Sequence, residues 1–157
     1  MLPIEHLLRE KGVPYALIPL AKQAFTVEDV VKYAGVPVPR DEICKTIITE
    51  GEKSGKRRAI FLRGGDRIDR AKAKRIFGES VGMADADGVR EASSVEPGAV
   101  CPFMLRVPLY VDERVLRLHK ANSGSGDLRH GLEFTLENFK KAVTFEAVDI
   151  ARSDEDS

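Results

Sequence analysis

The sequence predicts a single α+β domain, a mixed barrel-like sheet of six or seven strands flanked by short helices. Three observations predict it. Short runs of β-branched and apolar residues recur between Gly and Pro turn signals, as strands do. Amphipathic stretches with helical period are equally short and carry their own start and stop residues. The two kinds of element alternate irregularly, with hairpins, rather than at the steady βαβ spacing of a doubly wound sheet. The 157 residues fit one compact domain over 1–150, followed by an acidic tail over 151–157 expected to be disordered.

Taken in order, PIEHLLREKG opens as an amphipathic helix, with Pro3 in its first turn and Gly12 at its end. PYALIPL (14–20) reads as a strand, and T-V-E-D at 26–29 is a capping signal for a helix that stops at Gly35. Pro37 and Pro39 make the next segment a linker, because proline breaks a helix interior. ICKTIITE (43–50) is then a strand that turns through GEKSGKR into RAIFLR (58–63), a hairpin. After a GGD turn, RIDRAKAKRIFG is a basic helix with Ile68, Ala71 and Ile76 facing inward. ADGVREA reads as a helix, VPLYVDE (107–113) as a strand, DERVLR as a helical turn and LRLHKAN as a strand. NSGSGD (122–127) is a glycine-rich turn, Thr135 caps the helix LENFKKA, and FEAVDI closes the domain as a final strand.

Composition excludes several classes. With 43% hydrophobic and 32% charged residues the chain reads as an ordinary soluble domain. No apolar run approaches the roughly 18 residues that span a bilayer, and the N-terminus lacks a signal-peptide pattern, so a cytoplasmic protein without membrane partners is expected. Cys44 and Cys101 make neither a disulfide framework nor a metal motif, so both read as reduced structural thiols and no metal or cofactor is expected. Net charge is zero but unevenly spread. Residues 45–75 hold eleven Lys and Arg against four acids, whereas 76–113 hold seven acids against Arg90 and Arg106. Such a basic segment serves either as a polyanion-binding face or as solvated surface.

Three features carry candidate chemistry. Lys45, next to Thr46, shares a strand face with Ile43 and Ile47, so its ammonium either reaches water or sits beside an anion. In the loop from Gly98 to Pro102, glycine allows close backbone approach to a ligand and proline restrains the chain, so N–H groups can face an oxyanion. The turn with Asn122, Gly124 and Ser125 can form an anion-binding concavity, and His130 beyond it can orient a hydroxyl or relay a proton. Cys101 has no His near it in sequence, and GGDRIDRAK lacks a true phosphate-loop spacing.

The order of these features, K-T in a strand, G-x-x-x-P-F some fifty residues on, then an N-x-G-S turn, resembles the YbaK/ProX family. Its members are aminoacyl-tRNA deacylases related to the editing domain of bacterial prolyl-tRNA synthetases. TVEDVVKYAGV and VPLYVDERV fit the same pattern, and the resemblance covers about residues 13–148. It implies a hydrolase that clears a small mischarged amino acid, Ala or Cys, from tRNA(Pro) in trans. The expected partner is aminoacyl-tRNA, with the protein acting alone or docked on a prolyl-tRNA synthetase. The alternative is a non-catalytic tRNA- or synthetase-binding module of the same fold.

By the same resemblance, Lys45, Gly98 and His130 are the catalytic positions, with Lys45 holding the terminal phosphate or the ester and the Gly98 loop contacting the aminoacyl group. Phe25, Thr46, Pro102, Asn122, Gly124 and Ser125 are implied to bind substrate. Two departures from the family pattern bear on loop shape: Met104 follows Phe103 where a glycine is frequent, and the turn is longer and includes Asp127.

Overall fold

A computed structural model of the chain describes residues 1–153. The central hairpin forms as its sequence dictates: β2 (Cys44–Gly51) pairs antiparallel with β3 (Arg57–Arg63) over seven residue pairs, from Cys44 opposite Arg63 to Glu50 opposite Arg57. Around it, β5 (Val81–Met83) pairs antiparallel with the far end of β2. β6 (Leu109–Asp112) lies parallel to β3, and β9 (Glu146–Val148) lies parallel to β6. A second sheet has β8 (His130–Thr135) between β1 (Ala16–Pro19) and β7 (Lys120–Gly124), all antiparallel. β4 (Asp66–Ile68) and β10 (Ala151–Ser153) form a two-stranded ribbon.

The architecture is therefore α+β, as expected, but the sheet is not a closed barrel. Strand order is split into three sheets, and the five-stranded and three-stranded sheets meet through a parallel bridge between Ile43 and Asn122. Residues 151–153 of the expected tail form β10; residues 154–157 lie outside the described residues.

Period-two alternation along β2 and β3 puts apolar side chains on both faces, so each face has its own core. Cys44, Ile48, Ala59 and Phe61 join the larger cluster with Leu132, Phe134 and Phe139. Ile60 and Leu62 face the other way, onto Ala73, Val81 and Ile150, with Ile47 packed alongside. In the larger core Phe61 lies 5.5 Å from Phe139 and 6.4 Å from Phe134, centroid to centroid. Such aromatic pairs contribute about 0.5–1.5 kcal/mol each beyond the area they bury.

The helices close these cores. α1 (Pro3–Lys11) buries Ile4 and Leu8 and ends at Gly12 with φ +69°. α6 (Leu136–Ala142) starts on the Thr135 hydroxyl, which accepts from the Asn138 N–H, and buries Leu136 and Phe139. α4 (Ala86–Ser93) is capped by Asp85, whose carboxylate accepts from the Gly88 N–H. α3 (Arg70–Phe77) corrects the sequence expectation: Ile68 is consumed by β4, Asp69 caps the helix, and the inward residue is Ala73, with Phe77 packed on the same core. Ala71 and Ile76 are exposed. Starting the helix after β4 rotates its apolar stripe away from the positions a longer helix would use.

One buried carboxylate ties distant segments together. Asp112, fully buried at the end of β6, accepts at Oδ2 from the Arg114 N–H, which caps the turn α5 (Glu113–Leu116). Its Oδ1 accepts from the N–H groups of Ile150 and Ala151 at 3.0 and 2.9 Å. Hydrogen bonds to a charged acceptor are worth roughly 1.5–3 kcal/mol each, and orphaning buried donors adds to the loss. Asp112→Ala is expected to lower unfolding free energy by about 3 kcal/mol, read as a shift in urea midpoint at unchanged slope.

Candidate active site

The linker proline residues deliver the chain to a 3₁₀ turn at Arg40–Glu42 and then directly into β2, so Ile43 to Thr46 form one wall of a cavity of about 430 Å³. The opposite wall comes from the start of α2 (Val27–Tyr33). That start is fixed by a reciprocal cap: Thr26 Oγ1 accepts from the Asp29 N–H, and Asp29 Oδ2 accepts from the Phe25 N–H. Glu28 pairs with Arg40, tying the helix to the 3₁₀ turn, and this guanidinium holds the Glu28 carboxyl below its ordinary range. Gly64, at the end of β3, has no Cβ because one would overlap the Val27 side chain; this lets α2 close over the cavity.

Four sequence-predicted residues meet in this cavity: Phe25, Lys45, Thr46 and Gly98. Phe25, 59% exposed, forms an apolar rim with Val27, Val30 and Val100. The Lys45 ammonium donates to the Gly64 carbonyl at 3.1 Å and so stays on the cavity wall. Thr46 Oγ1 is buried without a hydrogen-bond partner. Gly98 has φ +91°, a conformation that favours glycine, and it brings the loop backbone against Phe25.

The remaining candidates stand behind this wall rather than in it. Asn122 to Gly124 lie within β7, not in a turn. Asn122 is 3% exposed, bridged to Ile43, and neither its Oδ1 nor its Nδ2 has a partner. Buried polar atoms left without a partner cost roughly 1–3 kcal/mol each, and of these two groups Thr46 borders the cavity whereas Asn122 does not. At Gly124 a Cβ would overlap the Val100 carbonyl and lie 2.8 Å from the Ala99 backbone, so the 98–102 loop rests directly on this glycine. The Gly126 N–H donates to the Ala99 carbonyl at 2.8 Å, adding a second tie. The Ser125 hydroxyl donates to the His130 carbonyl at 2.7 Å and accepts from the Asp127 N–H, which makes it a brace for the turn.

Pro102 is buried outside the cavity wall, next to Phe103, which packs edge-on to Phe134 at 4.9 Å. His130 likewise lies outside the wall, its Nδ1 3.5 Å from Asp127 Oδ1 at the start of β8. Both departures from the family pattern have local roles. Met104 covers Gly126, and the Asp127 carboxylate accepts from the Arg129 N–H at 2.7 Å to close the turn. The sequence did not mark Gly64, Val27, Val30 or Val100 as wall residues, although Gly64 stands in the GGD turn, Val27 in the T-V-E-D cap and Val100 in the 98–102 loop.

Cys44 also lines the cavity, but burial pushes its thiol, and that of Cys101, up to about 12 from an ordinary value near 9. Neither is a thiolate nucleophile at neutral pH. Among the described residues, no group of three or more His, Cys, Asp or Glu is placed to hold a metal ion.

Comparison with known proteins gives the same picture. A family model described as "Aminoacyl-tRNA editing domain" matches residues 21–142. The crystal structure of hypothetical protein APE2540 is 26% identical, with TM-score 0.84 over 95% of this chain and 99% of that one. A protein provisionally named a trans-editing enzyme for prolyl tRNA synthetase is 22% identical and shares the fold, with TM-score 0.82 over 98% and 99% of the two chains. A provisionally named signal transduction protein from Marinobacter aquaeolei carries the fold within 31% of its length, at 16% identity and TM-score 0.68.

Two outcomes check this geometry. Gly124→Ala is expected to cost about 2 kcal/mol or more by displacing the 98–102 loop, measured by urea unfolding. The folded state favours the neutral thiols, so their stabilising effect is complete below pH ~9 and is lost as pH rises toward ~12, by up to about 1.4 kcal/mol per pH unit per thiol. Urea melts at pH 8 to 11 are expected to fall more steeply for the wild type than for the Cys44→Ala/Cys101→Ala double variant.

Proposed function

This chain belongs to the aminoacyl-tRNA editing domain family, and from that premise we propose that it hydrolyses the ester of a small mischarged amino acid, alanine or cysteine, on tRNA(Pro), acting in trans in the cytoplasm. The observation that carries the reading is the first cavity, where a lysine ammonium, an unpartnered threonine hydroxyl and the Gly98 backbone converge inside an apolar rim. The shared fold with a protein provisionally named a trans-editing enzyme for prolyl tRNA synthetase makes tRNA(Pro) the first substrate to try.

An aminoacyl ester is already activated, so its hydrolysis needs positioning, a water and donors for the developing carbonyl charge. In the proposed complex the Lys45 ammonium clamps the terminal phosphate or the ester, and the loop at Gly98 receives the carbonyl. The substrate's own ribose hydroxyl assists the attacking water. Thr46 supplies a polar atom that lacks a partner in the free protein, and Asn122 backs the wall through its bridge to Ile43. Phe25, Val27, Val30 and Val100 bound the side-chain space. Such a wall rejects a larger residue by clash but separates two that differ by one methylene by only ~1–3 kcal/mol. Gly124 and Ser125 act by holding the loop, Pro102 by restraining it, and His130 through its backbone carbonyl, which accepts from the Ser125 hydroxyl.

The test is deacylation of tRNA(Pro) charged with Ala, Cys, Ser or Pro. One small mischarged residue is expected to be released rapidly, and Lys45→Ala to lower kcat/KM by about 10²–10³-fold. His130→Ala is expected to lose far less. Full activity in Lys45→Ala would remove that residue from the mechanism. Salt-dependent tRNA binding without turnover across the panel would replace the hydrolase with a binding module.

A further inference from the structure

A second cavity, of about 430 Å³, shares no lining residue with the first. It lies between the start of α1, the end of α4, the 104–106 segment and the 125–127 turn. Its floor is apolar: Leu2, Val95, Met104 and Leu105 are half-buried side chains packed on the larger core. Two opposite charges, Arg106 and Asp127, stand on its walls and are not paired with each other. Among the described residues the exposed Arg106 guanidinium has no partner; only its backbone N–H is engaged, on the Ala92 carbonyl. The Asp127 carboxylate uses Oδ1, which accepts from the Arg129 N–H and faces His130 Nδ1, and this leaves Oδ2 over. A third wall residue, Ser94, is the only non-glycine residue with positive φ among the described residues, at +65°. It caps the C-terminus of α4, a position where that conformation favours glycine, so a serine there is strained.

We propose that this cavity binds a free L-α-amino acid with an apolar side chain. A guanidinium fork matches a carboxylate with two parallel N–H donors, and a carboxylate accepts from an ammonium. An α-amino acid carries both groups on one carbon beside its side chain. Separated charges of opposite sign over an apolar floor suit that zwitterion. A fatty acid would engage Arg106 and leave Asp127 unmatched, and an apolar amine would do the reverse. The Ser94 hydroxyl adds a donor for the ligand carboxylate, which gives its strained backbone a use. The site stands without the deacylase reading but touches it at one point. The Gly126 N–H donates to the Ala99 carbonyl, so the turn that lines this cavity also carries the loop that lines the first.

The probe is L-leucine, titrated into the full chain by isothermal calorimetry. Saturable one-to-one binding is expected with a Kd of about 1 mM or tighter, the range open to a ligand of this size. N-acetyl-leucine lacks the ammonium and leucinamide lacks the carboxylate, and each is expected to bind about tenfold more weakly. Arg106→Gln is expected to cost about tenfold for leucine and to bind leucinamide no worse than leucine, since the partner of the missing group is already gone. Asp127→Asn, which can still accept from the Arg129 N–H, is expected to show the same relation with N-acetyl-leucine. Ser94→Gly is expected to raise the melting temperature while weakening leucine binding, a combination that a merely structural serine would not give.

Lys45→Ala separates the two cavities: leucine binding is expected to survive in it. Binding lost in Lys45→Ala but kept in Arg106→Gln would place the ligand in the first cavity and overturn the proposal. So would the absence of saturable binding at ten times the expected Kd, or blocked ligands that bind as well as leucine. If Asp127→Asn unfolds, Arg106→Gln and the two blocked ligands decide, because Arg106 is an exposed side chain. A protein inactive on every charged tRNA that still binds leucine through Arg106 would keep this site and remove the deacylase.

Discussion

The structure depends on a single strand pair buried on both faces. β2 and β3 share seven residue pairs, and each face of that pair carries a separate apolar core. A one-residue slip in register would exchange the two faces, turning Phe61 out of the aromatic cluster and Ile60 into it, so register is strongly specified. Everything functional inherits this. Lys45 and Thr46 are adjacent and therefore leave the strand in opposite directions. The lysine reaches from the smaller-core face round to Gly64, whereas the threonine stays on the face of Cys44 and Ile48. The strand that supplies a wall to the first cavity thus also packs, through Ile47, on the smaller core.

Around that fixed wall the site is completed by backbone resting on backbone. Neither the 98–102 loop nor the 125–129 turn belongs to a sheet, yet they are locked to each other. Gly124 lets the loop sit on β7, the Gly126 N–H bonds the Ala99 carbonyl, and the Ser125 hydroxyl joins the two ends of the turn. Phe103 then pins the loop to the aromatic core. A glycine-rich segment that reads as pliable in sequence is in this context close-packed, and its small residues mark contact rather than freedom.

Local signals were legible because local physics decides them. The T-V-E-D cap, the Thr135 cap, Gly12 and the 43–63 hairpin each involve residues a few positions apart, and all formed as the sequence indicates. What depended on distant partners was not legible. Asn122 to Gly124 read as a turn, yet they become a strand because β8 and Ile43 pair with them. Ala151 to Ser153 read as a tail, yet they find β4 more than eighty positions away. The inward face of α3 moved because β4 claimed Ile68. In the site, Phe25, Lys45, Thr46 and Gly98 line one cavity, a grouping offered in advance by the family resemblance rather than by local pattern. The apolar rim from α2 was not offered, because valines at helix positions carry no mark of what they will face.

Asp112 has a further consequence, in kinetic terms. Its donors at Ile150 and Ala151 lie 38 and 39 residues away, so the carboxylate stays hydrated until β6 is built and the end of the chain has come back to it. Contacts with large sequence separation require loop closure before they return any free energy. An interaction completed that late raises the barrier to unfolding more than it speeds folding. A single acid at the end of one strand therefore acts chiefly as a latch on the lifetime of the folded state, and it holds shut the ribbon of β4 and β10.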